Sequence, residues 1–203
     1  EEKLSNAVLA EVISDGDVSH VAIDAPFGWP SAFVDAVTGY RATGTWTAAD
    51  QLDLKFRKTE LYIKDVTGKY PLSVTAGYLV YLGWRCAEVF SEVPEWSIES
   101  RRGEGRLIEV YPAGSLHHWG ISPKTWVENP GPYKGDSPES QARRELLVAL
   151  IGDRCQGRLD LDGQEHRFID SDHELDALIA ALTARAVSVG LAEPIPEDSD
   201  ATM

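Results

Sequence analysis

Cations, cysteines and long apolar runs are all scarce in this chain, and each shortage removes a class of function. Nineteen Lys and Arg stand against 33 Asp and Glu, a formal net charge of −14 over 203 residues. A surface with that balance repels phosphate, so it argues against nucleic acid as a partner unless cations gather locally. Arg101, Arg102 and Arg106 form one such group and Arg143 and Arg144 another. The two cysteines, Cys86 and Cys155, lie far apart without a CxxC partner, which excludes a redox motif or a zinc cage and leaves them as small buried hydrophobes. No apolar run approaches the roughly 20 residues that cross a bilayer, and the start lacks a basic, then apolar, leader. No membrane partner is predicted, and a cytoplasmic location is the expectation. There is no glycine-rich phosphate loop.

At 43% hydrophobic composition the chain can bury a full core. We read residues 1–192 as one α/β domain with a helical and loop insertion near 31–73, a candidate lid, and residues 193–203 as an acidic flexible tail. Helical spacing marks residues 4–13, about 74–93, 137–152 and a last helix from Asp172 to Gly190. Short helices are expected around Phe33 to Val37 and from Arg57. The β-branched run Ser19 to Asp24, broken by Pro26, and the segment Arg106 to Tyr111, stopped by Pro112, are predicted strands. Arg158 to Gly163 reads as a hairpin with an Asp-Gly turn. The tryptophans are scattered and read as core and lid packing.

Asp24 ends a buried strand, the position where α/β proteins gather ligand groups, although an Asp before Ala-Pro also suits a turn. Glu109 alternates with Ile108 and Val110 and faces solvent or a polar seam. In the last helix Asp172 and Asp176 are four residues apart and share a face, and His173 is three from Asp176. Two like charges at that spacing weaken a helix slightly, a cost that a bound cation reverses. Asp172 also suits the helix dipole; Asp176 lies beyond the first turn and has no such excuse. His117 and His118 are adjacent, which fits no common metal spacing, and read as helix-surface residues.

Three segments together, Val21 to Pro30, Ile108 to Pro112, and Asp172 through Arg185, resemble domain-of-unknown-function family 429, with Arg57-Lys58-Thr59-Glu60 and Tyr133-Lys134-Gly135 as further matches. That family is described as predicted nucleases with an RNase H-like fold. The resemblance implies a mixed sheet flanked by helices and a site for Mg²⁺ or Mn²⁺. Asp24 matches the fourth-strand carboxylate, and His173-x-x-Asp176 is similar to the last helix of Holliday-junction resolvases. By that likeness Asp24, His173 and Asp176 are catalytic. The same likeness makes Asp24, Asp176, Asp172 and Glu109 the expected metal ligands, with Asp24 and Asp176 expected to share an ion.

Arg57 and Lys134 would contact phosphates of a nucleic-acid substrate, a local answer to the −14. The fold's first three strands, with their carboxylate, are missing from the sequence. Either they lie upstream of it or the chain is a degenerate relative. The expected function is metal-dependent phosphodiester hydrolysis. The alternatives are a non-catalytic binding or regulatory module, and a hydrolase of nucleotides or small phosphorylated molecules.

Overall fold

Side-chain caps set the helix starts. Ser5 Oγ accepts the Val8 N–H at 3.3 Å and opens α1, Asn6–Ile13. Ser137 Oγ accepts the Ser140 N–H at 3.1 Å, with Pro138 as first residue of α7, Pro138–Cys155. Ser171 Oγ accepts the Glu174 N–H at 3.3 Å and opens α9, Asp172–Ser188. The computed structural model describes residues 5–46, 50–96, 98 and 105–192. The acidic tail, Arg101 and Arg102 lie outside the described residues.

The order is α1, β1 (Val21–Ile23), α2 (Ser31–Thr43), α3 (Gln51–Lys55), α4 (Lys58–Thr67), α5 (Tyr78–Ser91), β2 (Leu107–Glu109), α6 (Pro112–His118), a 3-10 turn at Pro123–Thr125, α7, α8 (Glu165–Asp170) and α9. The chain divides into two compact units, Val110–Thr183 and the remainder on either side of it.

In the first unit β1 and β2 form a two-stranded parallel sheet with Val21 opposite Leu107, Ala22 opposite Ile108 and Ile23 opposite Glu109. Ile98 adds an isolated parallel bridge to Leu107. Its core joins Ile13, Phe27, Val89, Phe90, Val93 and Leu107, with the Phe27 and Phe90 rings edge to face at 4.7 Å. Each such side chain contributes roughly 1.5–3 kcal/mol when withdrawn from water. At the start of β2, Arg106 stacks on Trp96 at 3.6 Å and donates to the carbonyls of Val18 and Ser19, tying the strand to the turn before β1. The second unit closes around Leu116, Leu147, Ile151, Leu175 and Ile179.

Several expectations change. The strands are three residues each, shorter than the predicted runs. The segment 31–73 is more helical than its sequence reads, because α2 buries only Ala36 and so carries little periodic signal. The long helix begins at Tyr78, since Gly77 at φ +54 sets a turn just before it. The predicted hairpin is a turn alone: Asp162 and Gly163 take positive φ, but Leu159 and Leu161 pack on the second core and form no ladder. Trp96 is buried as expected, whereas Trp46 and Trp84 are each 47% exposed. Cys86 is buried and Cys155 half-buried. Among the described residues no helix is long and apolar enough to cross a membrane.

Candidate functional site

At the C-terminal ends of β1 and β2 the first unit gathers charge. Asp24 follows Ile23 directly and is exposed. Glu109, opposite Ile23, turns its carboxylate to the loop after β1: Phe27 N–H donates to Oε2 at 3.1 Å. Arg57, 52 residues earlier, reaches the same carboxylate, with Nη1 on Oε2 at 2.9 Å and Nη2 on Oε1. Its other side is closed by Glu60, whose two oxygens accept from Nε at 3.1 Å each, and Oε1 also accepts from Nη2. The Arg57 backbone N–H donates to Glu60 Oε2 at 2.7 Å, so the pair also caps α4.

Arg57 and Glu60 are buried, at 5% and 6% exposure. Burial alone lowers the affinity of the guanidinium for its proton, but the hydrogen bonds and charges of Glu109 and Glu60 outweigh it and hold Arg57 above its ordinary range. The Arg-Lys-Thr-Glu signature read as a phosphate contact thus places its arginine on two carboxylates of its own chain. Burial, reinforced by the Glu109 charge and opposed by Arg85, pushes the Cys86 thiol up to about 11.

The second unit builds its network on α9. Asp172, Asp176, Ile179 and Thr183 follow one another around a common face of the helix. Ile179 is fully buried, which draws Asp176 to 5% exposure. A carboxylate buried so far needs donors. Tyr133 Oη donates to Asp176 Oδ1 at 2.6 Å, and Lys134 Nζ lies 2.7 Å from Oδ2. One residue on, the Gly135 N–H donates to Asp172 Oδ2 at 2.8 Å. The signature Tyr133-Lys134-Gly135 is therefore three consecutive donors aimed at the two aspartates. His173 stays exposed, its Nδ1 3.8 Å from Asp172 Oδ1. Burial raises the Asp172 carboxyl, but the Gly135 N–H with the charges of His173, Arg144 and Lys134 more than offsets it, so the group sits below the usual carboxylate range.

Adjacent arginines hold that loop by its main chain. Arg143 donates to the carbonyls of Asn129, Pro130 and Pro132 and to Asn129 Oδ1. Arg144 donates to the carbonyls of Tyr133 at 2.7 Å, Gly135 at 2.8 Å and Ile169 at 2.6 Å. Gly131, at φ +144, permits the approach, because a Cβ there would stand 2.8 Å from Arg143 Cζ.

The structure brings together Arg57 with Glu109, Lys134 with Asp176, and Asp172 with His173. Asp24 belongs to the first unit and Asp176 to the second. Tyr133 and Glu60 carry these networks without having been singled out as site residues, and Arg143 and Arg144, read as a cation group open to phosphate, grip main-chain carbonyls instead. Among the described residues no group of three or more His, Cys, Asp or Glu is placed to hold a metal. The described residues thus form no closed structural cage. They retain what Mg²⁺ requires, one or two carboxylates with water and phosphate oxygens completing the shell.

The architecture defines a mixed α/β protein, mostly helical, with a small two-stranded parallel sheet. The family model for proteins of unknown function (DUF429) matches residues 6–201, and the chain belongs to that family. No curated protein and no solved structure matches it.

Proposed function

We propose that this protein is a Mg²⁺- or Mn²⁺-dependent phosphodiester hydrolase acting on nucleic acid, built on an RNase H-like fold, with Asp176 and Asp172 as the helix carboxylates of its metal site. The observation that carries the reading is a buried aspartate whose balancing cation is the end of a half-exposed lysine arm: the Lys134 side chain is 53% exposed and that of Asp176 7%. A divalent ion, when bound, supplies charge stabilisation at the scissile phosphate. The chain supplies the rest. Tyr133 orients Asp176, the Gly135 N–H orients Asp172, and the arginine clamp fixes the loop that presents both. Lys134, on its mobile stem, is suited to meet a phosphate as a point charge. Asp24 and His173 enter the proposal through the family resemblance, whereas Arg57 and Glu109 hold one another and serve as scaffold.

The test is Mn²⁺-dependent cleavage of single-stranded, duplex and branched nucleic acid, set against hydrolysis of nucleotides, by the parent, Asp176→Asn and Asp24→Asn. Cleavage lost in Asp176→Asn supports the proposal. Hydrolysis of nucleotides alone moves the substrate to small phosphorylated molecules, which the net charge of −14 favours. A second reading, a non-catalytic binding module, is favoured by the donors already placed on both oxygens of Asp176 and of Glu109. Binding without turnover of any substrate selects it.

A further inference from the structure

We infer that the Lys134 ammonium is a built-in competitor for the divalent ion at Asp176, so that metal binding and release of Lys134 from α9 are one event. The inference rests on the proposed metal reading and adds how the site is regulated. Three features lead to it. Lys134 Nζ is 2.7 Å from Asp176 Oδ2, close enough that an ion ligated by that oxygen and the ammonium repel each other. The other oxygen is held by Tyr133 at 2.6 Å, so the carboxylate cannot turn aside to serve both. The Lys134 backbone is fixed, with its carbonyl accepting from Ser140 Oγ at 3.0 Å and Arg144 gripping the carbonyls on either side, while the side chain is about half exposed.

Without ion, Lys134 keeps a buried carboxylate neutralised, and the fold needs no metal. With ion, the ammonium swings outward and becomes the phosphate contact assigned to it from the sequence. Substrate phosphate, by attracting Lys134, then raises the affinity for metal, and metal by linkage raises the affinity for phosphate.

Reductive methylation of the full chain, followed by peptide mass mapping, reads the position of the arm directly. Lys124, exposed in the 3-10 turn of the same unit, is the internal reference. Mg²⁺ is expected to raise the methylation rate of Lys134 severalfold toward that of Lys124, which itself stays constant. By calorimetry, Lys134→Met is expected to bind Mg²⁺ or Mn²⁺ about tenfold tighter than the parent, as loss of a charge this close to a ligand oxygen implies. Ion binding that depends on Asp176 but leaves both the Lys134 rate and the affinity of Lys134→Met unchanged overturns the inference and spares the metal reading. No ion binding by either protein overturns both.

Discussion

The ion networks of the two units invert one another. Around Arg57 a buried cation is shared by two carboxylates, one of which, Glu109, reaches 31% exposure. Around Asp176 a buried anion is shared by a phenol and an ammonium whose own arm is half exposed. A guanidinium enclosed by five donor contacts cannot lose its proton or find another partner, so the first network is scaffold: it caps α4 and joins it to β2 and the loop after β1. The second can exchange its cation without moving main chain. Burying the cation makes a joint, whereas burying the anion leaves a replaceable partner.

The contrast is broken most severely by Arg57→Met, which leaves Glu60 buried without a cation. We expect a loss of about 3–5 kcal/mol in urea unfolding. A loss under roughly 1 kcal/mol, the range of exposed pairs, would show the joint to be dispensable. Asp176→Asn comes next. Helix spacing alone predicts that removing one of two like charges stabilises α9, but with Lys134 and Tyr133 on the carboxylate the sign reverses, and a loss of about 1–3 kcal/mol is expected. A melting temperature above that of the parent would restore the spacing argument.

Acid sharpens the comparison further. The folded-state pKa of Asp172 is depressed, so its contribution is present in full above the unfolded value of about 3.9 and disappears as pH falls through the folded value. The difference in melting temperature between the parent and Asp172→Asn should therefore be fully present at about pH 5 and close below about pH 4. A gap that persists unchanged into strong acid would remove the charge from the account. The smallest effect is chemical. Cys86, buried and with its thiol pushed up to about 11, should resist alkylation at pH 8 until the protein unfolds. Rapid labelling of the native chain would show that the first core opens more readily than its packing implies.

Much of the local structure was legible because its causes are local. Ser137-Pro138 announces α7, Gly190 follows the end of α9, and a β-branched run delivers Asp24 to the end of β1. Asp176 stands out in the sequence as a charge on the margin of an apolar stripe, and the structure buries it. What answers that charge was not legible, because Tyr133 lies 43 residues away and nothing in its neighbourhood encodes the pairing. The same holds for Arg57 and Glu109, 52 apart. Arginines 143 and 144 read as available positive charge, yet both bind carbonyls, which composition does not reveal. At 158–163 the turn chemistry was sound, but two alternating leucines fit a packed loop as well as a strand.

That arginine clamp bears on how the loop from Asn129 to Gly135 tolerates variation. Guanidinium groups that grip carbonyl oxygens recognise the path of the chain and are nearly indifferent to its side chains. Exchanges among exposed residues of the loop should leave its course intact, while Gly131, Arg143 and Arg144 admit almost no replacement. A library randomised across 127–136 and sorted for folded protein would lose diversity at 131 and keep it at 128 and 136. The loop is then a mount on which new recognition residues can be placed beside Asp176 without redesigning what holds them.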